Sequence, residues 1–247
     1  MKLLLINPNT TAAMTDQMAA EARRFASPDT EITAVTAAFG TQYIANRAEA
    51  TIAGHAVLDA MARHAAGHDA AIVSAFGDPG LAAARELFDI PVVGIAESAM
   101  LTAWTLGRRY SIVCLTGRLR RWYIECAREH GLDGRLSSVR ALDVPIPDIT
   151  QAKDRFRDAL MRECHLAIEE DEAEVIILGG GPIAGLAREC ADDIPVPTLD
   201  GVTCGVRLAE ALVGLKPRKA TRGSFARPAL KPAVGLGAAL MTRITGD

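Results

Sequence analysis

The sequence predicts an α/β protein of two pseudo-symmetric lobes, each a mostly parallel sheet flanked by helices, with the candidate active-site cleft between them. The first observation is an apolar, β-branched run, Val175–Leu178, which is too short for a helix and indicates a buried strand. Gly179–Gly181 follows, and Pro182 is then suited to begin a helix. The second observation is that Ala71–Ser74 runs in the same way into Ala75–Gly80. Glycine lets a ligand approach the backbone, and ligands of open α/β sheets bind at the carboxyl ends of the strands.

The third observation is a repeat that relates the two halves of the chain. Asp89–Val92 recurs as Asp193–Val196, and the leucines after the two glycine turns, Leu81 and Leu186, are 105 residues apart. Each half also begins with an apolar run that predicts a strand. An internal duplication explains these correspondences. It predicts a first lobe of residues 1–100 plus 208–247 and a second lobe of residues 101–207.

The composition is that of an ordinary globular protein. Hydrophobic residues make up 49% and charged residues 23% of the 247 residues. The net charge of −3 and the aromatic content of 4% give no reason to expect binding to nucleic acid. No apolar run reaches the ~20 residues of a membrane span, and the N-terminus resembles no signal peptide. We therefore expect a cytoplasmic protein whose partner is a small molecule, with no nucleic acid and no membrane.

The cysteine and histidine pattern predicts free thiols and no metal. The five cysteines are odd in number and form no CxxC pair. His64 and His68 share a helix face, but no third ligand accompanies them. Cys204 falls near the start of a predicted helix, where a thiol pKa is lowered, so it is the cysteine to test for reactivity. Packing in the core is the alternative role of Cys204, and it is the expected role of the other four.

Two charged residues near the turns have more than one interpretation. Asp78 lies in an Asp-Pro-Gly sequence, which is common turn chemistry, so hydrogen bonds to local backbone are the alternative to a role at the site. Arg118 follows a predicted strand and can reach a ligand carboxylate or a ring carbonyl. The alternative for Arg118 is a solvated position at the start of a helix.

Several short motifs, taken together in this order and spacing, resemble one family. The motifs are Ile6–Thr11, Phe76–Leu81, Gly94–Glu97, Leu178–Leu186 and Asp200–Val202. They are similar to segments of the aspartate/glutamate/hydantoin racemase family, and most similar to its hydantoin and allantoin racemase branch. The resemblance implies two pseudo-symmetric α/β lobes, a site between them, a homo-oligomer, and catalysis without a metal or an organic cofactor.

The sequence departs from that family at the residues that would carry the reaction. The resemblance implies two cysteines on opposite sides of the substrate, one removing the proton next to a carbonyl and the other returning a proton to the far face. Backbone N–H groups of the glycine turns would hold the enolate oxygen. Ala75 and Gly180 stand at the two positions assigned to those cysteines. Neither side chain exchanges a proton, so the sequence disfavours two-cysteine racemisation.

The catalytic residues are therefore left unassigned, and the candidates are the polar groups near the turns. Those able to exchange a proton or bind charge are Ser74, Asp78, Thr116, Arg118, Asp200 and Cys204. The residues predicted to contact the substrate are Asn7, Ile44, Ala75, Phe76, Gly77, Thr116, Gly117, Arg118, Gly180, Gly181 and Pro182.

Three functions remain open at this point. The favoured one is a hydantoin racemase-like enzyme that acts on a small cyclic amide, a ureide or a related carboxylate without the two cysteines. Ring-opening hydrolysis or a lyase reaction would use the same backbone cradle. The second is an authentic hydantoin-type racemase whose cysteines lie elsewhere in the chain. The third is a non-catalytic protein that binds a small molecule.

Overall fold

Two four-stranded parallel sheets form the framework of the protein. The computed structural model describes residues 1–142 and 151–246. The first sheet has the order β2-β1-β3-β4 and the second has the order β6-β5-β7-β8, with every neighbouring pair parallel. The matching order confirms the predicted α/β fold of two similar lobes. The strands are β1 (Lys2–Asn7), β2 (Glu31–Thr36), β3 (Ala70–Val73), β4 (Val92–Gly94), β5 (Tyr110–Cys114), β6 (Leu136–Ala141), β7 (Val175–Gly179) and β8 (Thr198–Asp200).

Helices alternate with these strands along the chain. Short 3-10 helices lie at Asp133–Arg135 and Gly181–Ile183. The α-helices in the described part of the chain are α1 (Ala12–Phe25), α2 (Arg47–His64), α3 (Leu81–Leu87), α4 (Ile95–Leu106), α5 (Gly117–Glu129), α6 (Ala152–Glu169), α7 (Leu186–Glu189), α8 (Gly201–Leu215) and α9 (Ala238–Thr245).

The two strands that lead into the glycine turns, β3 and β7, are buried along their whole length, which explains their unbroken apolar sequences. Every residue of β3 and of β7 is buried, because helices cover both faces of each sheet. Ile6 pairs with Val73 in the first sheet, and Val113 pairs with Leu178 in the second. The chain therefore leaves the two sheets at equivalent points and enters the two glycine turns there.

Two helices are exchanged between the lobes. Helix α4 follows the first sheet but packs on β7 of the second, whereas α8 follows the second sheet but packs on β3 and β4 of the first. The two helices also contact each other. One core cluster accordingly contains Ile72 of the first sheet and Ile177 of the second. The division into residues 1–100 plus 208–247 and 101–207 stays a proposal, and its boundary at residue 207 falls within α8.

Two local features differ from the sequence-based expectation. Pro182 lies inside the 3-10 helix Gly181–Ile183, and the next α-helix begins only at Leu186. Strand β6 is not predicted, because Ser137, Ser138 and Arg140 interrupt its apolar pattern.

Two further expectations, a local loop-to-helix boundary and the lack of a membrane span, depend on which residues the structure describes. The sequence also predicts a loop at Pro145 and Pro147 and a helix start near Thr150, and these positions lie outside the described residues. Within the described ranges, no helix combines the length and the apolar character needed to cross a membrane.

Candidate functional site

A cavity of about 220 Å³ lies between Ala75 and Gly180, where both sheets present the carboxyl ends of their strands. This is the edge at which open α/β sheets bind ligands, and the volume suits a small molecule. Both glycine turns contribute to its wall, as the duplicated sequence predicts. The lining residues are Asn9, Met14, Tyr43, Ile44, Ala45, Ser74, Ala75, Phe76, Leu115, Thr116, Arg118, Leu119, Tyr123, Gly179, Gly180, Gly181 and Pro182.

Most of the residues predicted for the site line this cavity, and some do not. The structure brings together Ile44, Ser74, Ala75, Phe76, Thr116, Arg118, Gly180, Gly181 and Pro182. It places elsewhere Asn7, Gly77, Asp78, Gly117, Asp200 and Cys204.

The two turns offer backbone donors to the cavity but differ in conformation. Within residues 1–142 and 151–246, the N–H groups of Ala75, Phe76 and Gly180 donate to no acceptor. They are available to an oxygen that carries negative charge. Gly180 has a φ of 140°, which side-chain-bearing residues rarely adopt. A Cβ atom at Gly180 would have room, since its nearest neighbour is Cδ of Pro182 at 3.7 Å, so the obstacle to a cysteine there is the backbone.

Asn7 is buried behind the cavity and orients Asn9. Nδ2 of Asn7 donates to Oδ1 of Asn9 at 3.0 Å and to Oγ1 of Thr15 at 2.9 Å. In return, Oδ1 of Asn7 accepts from the backbone N–H of Asn9 at 3.2 Å. Asn9, and not the predicted Asn7, is therefore the asparagine that lines the cavity.

Aromatic rings form one wall. The ring centroids of Phe76 and Tyr123 are 4.8 Å apart, and those of Trp122 and Tyr123 are 5.7 Å apart. Gly179 admits this packing, because a Cβ atom there would lie 3.2 Å from Cε2 of Tyr123. A Cβ atom at Gly77 would lie 2.5 Å from Cζ2 of Trp122. Gly77 thus supports the wall from behind instead of contacting a ligand as predicted.

Asp78 is occupied by structural hydrogen bonds. Its carboxylate accepts from the backbone N–H groups of Ala96 at 2.9 Å and Glu97 at 2.7 Å, at the start of α4. Oδ2 of Asp78 also lies 3.1 Å from Nε2 of His130. The hydrogen bonds of the Asp78 side chain thus go to the backbone of α4, and not to the local backbone of its own turn. Asp78 is not a candidate catalyst at the cavity.

Asp200 has a similar structural role in the second lobe. Its carboxylate accepts from the N–H groups of Val202 at 2.7 Å and Thr203 at 3.2 Å, which caps α8. It also accepts from the N–H of Gly185 at 2.7 Å. Burial raises the pKa of Asp200, and these hydrogen bonds oppose the rise. The carboxylate holds the second glycine turn against α8.

No cysteine is among the described residues that line the cavity. All five thiols are free and buried. Cys114, the thiol nearest to the lining residue Thr116, donates to its carbonyl oxygen at 3.7 Å, and burial raises its pKa to about 12. Burial also raises the pKa of Cys204 to about 11, so the expected lowering by the helix terminus is wrong. No thiol from elsewhere in the chain therefore takes the place of the cysteines that are absent at Ala75 and Gly180.

The lining of the cavity carries one positive charge and four side chains with a hydroxyl group, which are those of Tyr43, Ser74, Thr116 and Tyr123. Arg118, at the start of α5, is the one charged side chain among the described lining residues, and no carboxylate accompanies it there. Gly117, the first residue of α5, is exposed and outside the lining. Oγ of Ser74 donates to Sδ of Met18 at 3.1 Å, so this hydroxyl already has a partner.

Comparison with known proteins agrees with this fold and site. Residues 3–209 match the family described as Asp/Glu/Hydantoin racemase. The chain belongs to this family. It is 34% identical to the hydantoin racemase of Pseudomonas sp. (strain NS671) over 236 residues, which are 95% of this chain and 95% of that protein. The allantoin racemase from Pseudomonas fluorescens superposes with a TM-score of 0.91 at 36% identity, covering 95% of this chain and 100% of that one. The allantoin racemase from Klebsiella pneumoniae gives 0.92 at 34% identity, with 97% and 98% covered.

Family membership confirms the resemblance drawn from the motifs. Other lining residues of this Asp/Glu/hydantoin racemase family member are missed by the sequence analysis. Asn9 lies within the motif Ile6–Thr11, and Tyr43 and Ala45 flank Ile44. Their closeness in sequence to predicted residues is the signal that could have identified them as lining residues. Tyr123 belongs to an apolar helix stripe that is typical of a core, and nothing in the sequence separates it from one. The missed residues are Asn9, Met14, Tyr43, Ala45, Leu115, Leu119, Tyr123 and Gly179.

Proposed function

We propose that this chain is a hydantoin racemase-like enzyme that acts on a small cyclic amide, a ureide or a related carboxylate. Its similarity to hydantoin and allantoin racemases over most of its length supports an enzyme of this type. The proposed reaction passes through an enolate held by backbone N–H groups of the two glycine turns. A pair of cysteines takes no part in it.

The cavity between Ala75 and Gly180 is the observation that carries the proposal. Backbone N–H groups without acceptors border one small space from both lobes, and such donors stabilise an oxygen on which negative charge develops. At the two positions where the family resemblance implies cysteines, Ala75 carries only a methyl group and Gly180 only a hydrogen atom. Transfer of a proton to or from carbon therefore has to use another group or water.

The charge of the cavity supports a substrate that is anionic or becomes anionic during the reaction. Arg118 lies at the cavity with no opposing carboxylate in the described lining. A guanidinium attracts a carboxylate or an enolate through charge-assisted hydrogen bonds. A neutral ring such as allantoin gains this attraction only as its enolate forms.

Deuterium exchange separates the possible reactions. Allantoin and one enantiomer of 5-benzylhydantoin are incubated with the protein in D2O, and the C5 proton and the optical rotation are followed. Exchange with loss of rotation supports racemisation, and a ring-opened or eliminated product supports a hydrolase or a lyase. Binding without turnover supports the non-catalytic alternative. The Ala75→Leu variant, whose side chain fills the cavity, controls for contaminating activity, and equal turnover by both proteins contradicts the proposal.

We also propose that the chain forms a homo-oligomer in the cytoplasm, as the family resemblance implies. Light scattering after size exclusion would give a mass of more than one chain. A monomer at all concentrations would contradict the oligomer.

A further inference from the structure

One side chain of the cavity wall combines a buried ring with an unused polar atom. The Tyr123 ring is 3% exposed and is held between Phe76 and Trp122. Its edge rests on Gly179, next to the Gly180 flank where a family thiol is expected. Packing thus fixes the direction of the phenol before any ligand binds.

The hydroxyl of Tyr123 has no acceptor within the described parts of the chain. Tyr110, which is equally buried, instead donates its hydroxyl to the carbonyl oxygen of Leu132 at 2.8 Å. The one fully buried side-chain polar atom without a partner in these parts is Nδ1 of His68. The Tyr123 hydroxyl is therefore not fully sealed in the core, and Tyr123 is one of the residues that line the cavity. A polar group held there without a protein partner is suited to a ligand.

The internal duplication shows that the first lobe has no hydrogen-bond donor at the position equivalent to Tyr123. The offset of 105 residues that relates Leu81 to Leu186 also relates Met18 to Tyr123. Met18 takes the corresponding place in the first lobe, because a Cβ atom at Gly181 would lie 2.7 Å from its Sδ. A thioether has no proton to donate, whereas a phenol has one. Tyr123 of α5 lines the cavity, whereas Met18 of α1 is fully buried and outside the lining, so the phenol donor has no counterpart in the first lobe.

We propose that the Tyr123 hydroxyl donates a hydrogen bond to the substrate oxygen on which negative charge develops, and that the proton stays on Tyr123. This role rests on the proposed function and adds to it a specific side-chain donor. Burial raises the pKa of Tyr123 well above its usual range, and nearby Cys114, Cys126 and Asp78 add to the effect. The hydroxyl consequently stays protonated across the neutral range, and it acts as a donor but not as a base.

Two phenylalanine variants, Tyr123→Phe and the control Tyr110→Phe, test this role. Tyr123→Phe removes a hydroxyl that has no protein acceptor, so its thermal midpoint should match that of the wild type. Its C5 exchange rate with allantoin or 5-benzylhydantoin should fall by about 10²-fold, as for the loss of one oxyanion donor. Tyr110→Phe removes a hydroxyl that does have an acceptor, so its midpoint should fall while its exchange rate is retained. Calorimetry with the same two probes measures affinity in parallel.

The outcomes separate this role from the proposed function. Turnover by the wild type with an unchanged rate in Tyr123→Phe overturns the role of Tyr123 and leaves the enzyme proposal standing. Binding without turnover, weakened in Tyr123→Phe, supports Tyr123 as the ligand donor while the catalytic proposal fails. A midpoint of Tyr123→Phe that falls as far as that of Tyr110→Phe shows a structural role and overturns the inference. If neither probe binds the wild type, both proposals are overturned.

Discussion

Nε2 of His130 lies 3.1 Å from Oδ2 of Asp78, and this contact joins the second lobe to the first. Nδ1 of the same ring lies 3.6 Å from Oε1 of Glu97, which also accepts from Arg85 at 3.0 Å. Both ring nitrogens therefore face carboxylates. Burial lowers the pKa of His130, but the hydrogen bond and charge of Asp78 and the charge of Glu97 outweigh burial and the opposing charge of Arg85. The net pKa of His130 is raised, while burial keeps the neighbouring Cys126 thiol neutral by raising its pKa.

The raised pKa of His130 predicts a stability that declines as the pH rises. The contribution is complete below the ordinary histidine pKa of about 6.5 and is lost as the pH passes through the raised value. His130→Gln should lower the free energy of unfolding at ~pH 6 by about 1.5–3 kcal/mol, the range for a hydrogen bond to a charged group. Urea unfolding of both proteins from ~pH 6 to ~pH 9 should show the difference shrinking. A difference that does not change with pH would falsify this assignment.

The thiols of the native protein are expected to be unreactive. The thiolate is the reactive species, and burial raises the pKa of Cys204 to about 11 and those of Cys114 and Cys164 to about 12. An aromatic disulfide reagent near neutral pH should label none of the five thiols rapidly in the native protein and all five in denaturant. One fast thiol that disappears in Cys204→Ser would instead support the reactive cysteine that the sequence suggests.

Cysteines introduced at the two flanks should differ in stability. Ala75 is partly exposed at the cavity, so the thiol of Ala75→Cys extends into open space and stability should stay within about 1 kcal/mol of the wild type. Gly180→Cys has to hold φ near 140° and should lose about 1–3 kcal/mol. The double variant should gain C5 exchange over the wild type, and Ala75→Ser serves as the hydroxyl control. Equal stability of the two single variants would show that the Gly180 conformation is not required.

Asn7 should influence ligand binding without touching the ligand. Asn7→Ala removes the donor to Asn9 and Thr15, and buried groups left without a partner cost about 1–3 kcal/mol each. We expect both the free energy of unfolding and the affinity for allantoin to fall. Asn9→Ala is the comparison, since it removes the amide that lines the cavity and should lower affinity directly. Unchanged affinity in Asn7→Ala would rule out its orienting role.

Arg118 should discriminate ligands by charge. Arg118→Gln is expected to weaken a carboxylate-bearing hydantoin by about tenfold or more, because a charge-assisted hydrogen bond is lost, and to affect neutral allantoin less. Arg120→Gln, an exposed residue on the same helix that does not line the cavity, is the matched control. Calorimetry at low and high salt measures both. An equal effect on the charged and the neutral ligand would show that Arg118 does not recognise charge.

The fold was predictable from the sequence because its strands are buried on both faces. Continuous apolar runs such as Val175–Leu178 and the offset of 105 residues are local signals, and they are sufficient for two similar lobes. Strand β6 is not predicted from the sequence because it lies at the edge of its sheet and carries polar residues. Its pattern is that of a loop until its pairing with β5 is known.

The site was predictable only where it coincides with the turns. Ala75 and Gly180 could be placed from strand ends alone. The contact of His130 with Asp78 spans 52 residues, and Tyr123 meets Gly179 through tertiary packing, so neither leaves a local pattern. Asp78 shows the converse, since its position in the first glycine turn makes it a candidate site residue while its side-chain hydrogen bonds lead to α4.

The exchange of α4 and α8 has a consequence for how such a site acquires unequal sides. A half-length ancestor would leave one sheet face and one crossing helix uncovered, and two identical copies related by a twofold axis would cover both. In such a symmetric pair, the same residue would occupy the equivalent position on both sides of the site. A single chain is free of that constraint, so two residues related by the offset of 105 can differ: the thioether of Met18 is buried against Ser74 and Gly181, whereas Tyr123 lines the cavity.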